Sequence, residues 1–319
     1  MSISKSNFLF LFITVLFACN SDNENSNTQN CNTDQVLDIT KGDCNVTLSF
    51  SSQFEETISA TTRTIVSNSI PNHSVGSFGN GQGSLNPNAI SIQNETYTIP
   101  LAPTVSSNFT PLLSTTGTDS NLGPQYAFGI LLNGVELDPA AAEPFPHKGI
   151  MSPNVNWEWN LEALNTPLGL DCNNAHVQPN GKYHYHGSPI LFLQSLNIQS
   201  DKMTLIGYAA DGFPIYYKYA YSVANDNTSS VTEMTSSYQL KSGNRPGDGI
   251  TAPCDIYNGI YSNDYEYVEG LGTLDKANGR TGVTPEYPSS TYYYIITDNF
   301  PSIPRYFRGT PSNDFKIGG

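Results

Sequence analysis

The chain has 319 residues, of which 13% are charged, and a net charge of −14 at pH 7. That acidic balance lacks the basic footprint of a nucleic-acid binder, so no nucleic-acid partner is expected. Its 19 tyrosines, with abundant Ser, Thr, Asn and Gly, argue against long helices and for a secreted protein of strands and loops.

The N-terminus carries Lys5 and then the apolar run "FLFLFITVLFA" (Phe8–Ala18), which is too short to cross a membrane comfortably. It ends in "LFAC", which resembles the lipobox of bacterial lipoproteins, with Phe17 departing from the usual small residue. The resemblance implies a signal peptide over 1–18, lipidation of Cys19 and a membrane partner through that lipid. The polar stretch "NSDNENSNTQN" follows and predicts an unstructured tether over 19–35, ahead of one folded domain over 36–319. Acidic residues just after Cys19 resemble the surface-export signal of some Gram-negative lipoproteins. An outer-membrane lipoprotein of the bacterial cell envelope, periplasmic or surface-exposed, is the expected setting.

Beyond Cys19, four cysteines remain: Cys31, Cys44, Cys172 and Cys254. An even number outside the cytoplasm predicts two disulfides. Of the three pairings, proximity favours Cys31–Cys44, which leaves Cys172–Cys254. The alternative is Cys172 as a metal-binding thiolate near His176.

Along the folded part, "VLDIT", "NVTLSF" and "TRTIVSNSI" read as short strands. Residues 71–88 form a loop by their Gly, Pro and Asn content, without the ending of a phosphate loop. "AISIQNETYTIPL" predicts one or two strands, and "YAFGILLNGVELD" a hairpin turning at Asn133-Gly134. "NVNWEWNLEAL" places Trp157, Leu161 and Leu164 on one face of a short helix over 154–164. "MTLIGYAADGFPIYYKYAY" predicts strand, Asp-Gly turn and strand, and "STYYYIITD" a central strand. The fold class expected is mainly β: a single sheet-rich domain, sandwich or barrel-like, with long loops and one short helix.

The segment "HVQPNGKYHYHGSP" (176–189) holds three of the five histidines. On a strand, His184 and His186 share one face, and Tyr183 and Tyr185 the other. The turn Pro179-Asn180-Gly181 brings His176 back beside them. Three imidazoles at one point suit a divalent transition metal (Zn, Cu or Fe) with a position left for water or substrate. The tyrosines read as packing.

These residues resemble the YHYH-domain family of secreted or envelope proteins, named for Tyr183–His186. "LDCNNAHVQPNGKYHYHGSP", "GYAADGFPIYY" and "NGRTGVTPEYPSSTYYYIITDNFPSIPRYFRGTP" look like family blocks, as do "SNSIPNHSVGSF" and "LNPNAISIQNETYTIPL". The resemblance spans about residues 63–311 and implies metal binding, but carries no reaction. Within it, His73, His176, His184, His186, Asp211 and Glu286 occupy motif positions. His73 is a candidate fourth ligand or base. Asp211 and Glu286 are candidates for orienting an imidazole or for acid–base work. His147 reads as a surface-loop histidine. The resemblance places a histidine of some relatives at the position of Tyr293, so this chain would have lost a ligand if that position faced the site. Arg305 and Arg308 are candidates for an anionic substrate, against structural pairing with carboxylates. No nucleophile elbow, zincin helix, acidic calcium loop or Cys-x-x-Cys occurs. Two functions fit: a metalloprotein with a possible catalytic role, or a metal-free surface module for glycan or peptide ligands.

Overall fold

An open eight-stranded mixed sheet forms the centre of the computed structural model, which describes residues 31, 35–116, 122–150 and 154–317. The expected signal peptide, Cys19 and nearly all of the expected tether lie outside the described residues. From Cys31 onward the chain packs as one unit. The sheet runs, edge to edge, through Ala175–Val177, Tyr183–Tyr185, Glu136–Leu137, Gly129–Leu131, Leu205–Ala209, Pro214–Tyr217, Thr291–Ile296 and Gly279–Gly282. Its two ends do not join, so it is not a closed barrel.

Local sequence explains most of these strands. Gly134 sits at φ +80° and closes the turn after Gly129–Leu131 through its amide to the Leu131 carbonyl. Gly212, at φ +91°, turns Leu205–Ala209 back into Pro214–Tyr217. The apolar strand Thr291–Ile296 pairs on both sides and is buried at five of its six residues, as a central strand requires. A separate antiparallel sheet of Phe54–Ile58, Thr62–Ser67 and Glu95–Pro100 flanks it. Phe128, Tyr97, Leu131, Tyr183, Tyr185 and Tyr294 belong to the main core cluster.

The helix expected over 154–164 is instead the strand Asn156–Asn160, paired with Pro144–Phe145, and a single 3-10 turn at Ala163–Asn165. Trp157 and Trp159 are both buried with exposed Glu158 between them, so the local period is two. Asn154, at φ +63°, also bars a helical start. The one α-helix among the described residues is Ile190–Ser195, which buries Phe192 and Leu193. "VLDIT" and "NVTLSF" form no strands; Gly42 and Val46 make only isolated bridges.

The disulfides join Cys31 to Cys254 and Cys44 to Cys172, which corrects both expected pairs. Proximity in sequence misled because residues 42–46 run back to the sheet, bridging Asp171 and Val75, and set Cys44 beside Cys172. Cys172 is therefore not a thiolate ligand. Among the described residues no helix is long and apolar enough to cross a membrane.

Candidate metal centre

Ala175–Val177 and Tyr183–Tyr185 form an antiparallel hairpin in which His176 lies directly opposite His184. The turn between them closes through the Gly181 amide to the Gln178 carbonyl, with Gly181 at φ +87°. A Cβ there would stand 2.1 Å from Ser91 Oγ, so glycine is required twice over. Strand alternation then puts His184 and His186 on the same face as His176.

The three rings meet at their Nε2 atoms. His186 Nε2 lies 3.0 Å from His184 Nε2 and 3.0 Å from His176 Nε2. One ligand nitrogen from each ring falls within 4.8 Å of the others. His184 and His186 are buried, while His176 reaches partway to the surface. Two nitrogens bound to one zinc at about 2.0–2.1 Å stand roughly 3 Å apart, so these separations fit a shared ion.

Hydrogen bonding fixes the tautomers that such binding needs. His176 Nδ1 donates to the Leu168 carbonyl at 2.9 Å, and His184 Nδ1 to the Lys182 carbonyl at 3.3 Å. A carbonyl only accepts, so each Nδ1 holds the proton and each Nε2 keeps its lone pair. The Pro139 carbonyl faces His186 and favours its protonated form, but it closes no hydrogen bond, and His186 Nδ1 is buried without a partner. Burial, and then its neighbours His176 and Lys182, hold the His184 pKa well below the ordinary histidine range. Burial and the other two rings do the same to His186, with Arg305 adding to it. Burial also lowers His176. All three rings are thus neutral at pH 7, the state in which imidazole binds metal. Three facing nitrogens, two with fixed lone pairs, share at most one proton among them in the absence of a cation. The donor set fits a transition ion, and the cluster could hold one.

The opposite face of the same strand does different work. Tyr183 and Tyr185 are fully buried. Tyr183 Oη donates to Asp171 Oδ2 at 2.8 Å, and Tyr185 Oη pairs with His73 Nε2 at 2.6 Å while accepting from Asn133 Nδ2 at 2.9 Å. His73 therefore sits with the tyrosines, across the sheet from the trio, and is not a fourth ligand. The reading of the tyrosines as packing holds, with hydrogen bonds added.

The remaining candidates lie elsewhere. Asp211 is buried and accepts from Tyr294 Oη and the Gly309 amide, a junction between strand and C-terminal segment. Burial raises its pKa to about 6. Glu286 is exposed and accepts from Tyr216 Oη. Neither makes a hydrogen bond to the histidines. Arg305 pairs with both oxygens of Glu162 and bonds the Pro139 carbonyl. Arg308 lies 3.9 Å from Asp275 and over the Phe109 ring. The structural alternative thus describes both arginines, and neither is an anion site on its own. His147 is half-buried, bonded to the Glu143 carbonyl and stacked on Tyr261, rather than a plain surface histidine. Tyr293 is buried in a second cluster with Arg280 Nε on its hydroxyl. Its strand lies five positions across the sheet from Tyr183–Tyr185, so it faces no part of the centre.

The strand beside the trio supplies residues that the sequence reading passed over. Glu136 is in parallel register with His184, and the Asp138 amide bonds the Tyr185 carbonyl. Glu136 takes Lys182 and Tyr97. Asp138 accepts from Gln178, its second oxygen is buried without a partner, and burial raises its pKa to about 8. The signal was available: Glu136 and Asp138 alternate with Leu137 in an otherwise apolar run.

A family model described as "YHYH protein" matches residues 96–309 of the chain. No curated protein and no solved structure matches it.

Proposed function

We propose that this chain, which belongs to the YHYH protein family, is a metalloprotein of the bacterial cell envelope. It binds one divalent transition ion through Nε2 of His176, His184 and His186. The observation that carries this reading is the convergence of three neutral imidazoles on their Nε2 atoms, two of them with Nδ1 bonded to a backbone carbonyl. Imidazole nitrogens suit zinc, copper or iron, and three of them leave a coordination position for a further group. An ion so held supplies Lewis acidity and lowers the pKa of bound water. The chain's own residues orient the rings, exclude water from two of them and keep Asp138 as a buried, protonated carboxyl nearby. The envelope setting is supported by the lipobox-like "LFAC" and by two disulfides, which persist in oxidising compartments.

The test is metal analysis of untagged protein after loading with zinc, copper and iron in turn. About one ion per chain is expected for the preferred metal, and none in the His184→Ala/His186→Ala variant. A content below about a tenth of an ion per chain with all three metals refutes the reading. For the anchor, Cys19→Ala abolishes incorporation of labelled fatty acid; unchanged labelling refutes lipidation at that residue.

A further inference from the structure

One ring of the trio lacks what the other two have. His176 Nδ1 and His184 Nδ1 each bond a backbone carbonyl, whereas His186 Nδ1 is buried without a partner. A metal-bound imidazole nearly always gives its second N–H to a carboxylate, a carbonyl or water, and that outer bond fixes the ring. The carbonyl that faces His186, at Pro139, is held by Arg305 Nη1 instead.

A second buried orphan stands beside the first. In the parallel pairing of Tyr183–Tyr185 with Glu136–Leu137, His184 lies against Glu136 and Tyr185 against Leu137. The next step of that register sets His186 beside Asp138, and the Asp138 amide on the Tyr185 carbonyl carries the ladder to that point. Residues in register on neighbouring strands share a face, so the Asp138 carboxyl belongs to the histidine side of the sheet. Its partner agrees: Asp138 Oδ2 accepts from Gln178, two residues beyond His176 on the other strand of the hairpin. Asp138 is 4% exposed, and its Oδ1 has no partner. Among the described residues, Asn160 and Asn278 also hold a buried, unpaired side-chain carbonyl oxygen, but neither follows His186 in this register. Ionised or protonated, a carboxyl keeps an oxygen that accepts, so the pairing does not hinge on its proton. With an ion on Nε2, the neutral ring carries its proton on Nδ1, the donor that Oδ1 lacks.

We propose that Asp138 is the positioning residue of the metal centre, its Oδ1 accepting from His186 Nδ1 once an ion is held at Nε2. This rests on the metal-centre reading above and supplies the outer bond that the third ring lacks. The strands carrying the two residues are already paired, so the movement is confined to their side chains.

The test has two parts, both on the full, untagged chain loaded with whichever of zinc, copper and iron it takes up. In the crystal structure of the loaded parent, His186 Nδ1 and Asp138 Oδ1 should stand about 2.7–3.2 Å apart. In chelator competition, Asp138→Leu should bind the ion about 10–100-fold more weakly than the parent. Asp138→Asn keeps an acceptor oxygen and should recover part of that loss, as a mere packing role would not. A loaded structure with His186 Nδ1 on the Pro139 carbonyl or on water overturns the proposal, and decides the matter if Asp138→Leu fails to fold. Parent-like affinity in folded Asp138→Leu overturns it as well, and leaves the metal centre itself standing. A parent that takes up none of the three metals ends both readings together.

Discussion

Loading the histidine trio should stabilise the fold by an amount that depends only on the free metal concentration and its dissociation constant. An ion that binds the native state and not the unfolded chain contributes about 1.4 kcal/mol per tenfold excess over Kd, hence about 2.7 kcal/mol at a hundredfold excess. The folded unit, Cys31–Gly319, has close to 290 residues. At about 2.1 cal/mol/K per residue, its unfolding entropy near Tm is about 0.6 kcal/mol/K. Each decade of metal should therefore raise Tm by about 2 °C, and a hundredfold excess by about 4–5 °C. The preformed geometry enters through Kd: two Nε2–Nε2 separations are already 3.0 Å and the rings are already neutral, so little ordering is left for binding to supply. The assay is differential scanning calorimetry of untagged protein, stripped with chelator and titrated with zinc, copper or iron. The His184→Ala/His186→Ala variant should show no rise. A flat Tm with every metal refutes the reasoning, as does an equal rise in the variant, which would place the ion elsewhere.

Stability of the metal-free protein should pass through a maximum at about pH 7. The three rings of the trio and His73 have lowered pKa values in the fold, so their contribution is full above about pH 6.5. It is lost as pH falls toward the folded values, by about 1.4 kcal/mol per pH unit for each ring titrating only in the unfolded state. Asp211 and Asp138 act in the opposite sense: raised to about 6 and about 8, they contribute most below pH 3.8 and lose that as pH rises through the folded values. Urea midpoints rising steadily from pH 5 to about 9 would contradict this. Cys44→Ser/Cys172→Ser opens a link between residues 128 apart in sequence and should cost about 3–5 kcal/mol in urea unfolding, with weaker metal binding because the hairpin loses its anchor; unchanged metal affinity in the folded variant would separate the two. Tyr293→His should cost about 1–3 kcal/mol through the lost Arg280 bond and leave metal stoichiometry at the parent value, since that position lies far across the sheet; a second bound ion would show otherwise.

The centre was largely legible in the sequence because it is local. Eleven residues, 176–186, contain all three histidines, the turn and the alternation that sorts histidines from tyrosines. The hairpin at Asn133-Gly134 and the strands around Asp211-Gly212 were legible for the same reason. What escaped depends on distant chain. Cys31 and Cys254 are 223 residues apart, and no spacing rule reaches that far. His73 looked like a ligand because it is a histidine near a strand end, yet its side of the sheet was set by a partner 112 residues away. The window 154–164 satisfied a helical spacing by coincidence, and the alternation of its two tryptophans was the better signal.

The placement of the trio explains why so much of the chain converges on one short hairpin. Ala175–Val177 is an edge strand and pairs on one side only, so its hydrogen-bond ladder alone would leave His176 free to shift. Remote groups supply what the missing neighbour does not. Asn86 and Asn88 both donate to the Val177 carbonyl, and the Ser91 amide holds the Gly181 carbonyl in the turn. Lys182 is fixed between Glu95 and Glu136. Asp171 takes the Gly76 amide, the Ala175 amide and the Tyr183 hydroxyl, one residue before the Cys44–Cys172 bridge. A metal site loses affinity when its ligands must be ordered on binding. Clamping an edge hairpin from residues 44 to 136 removes that cost while leaving one of the three imidazoles, His176, at the partly exposed border. The tyrosines between the histidines are part of that clamp: their hydroxyl bonds on the core face hold the strand that aims the imidazoles on the other.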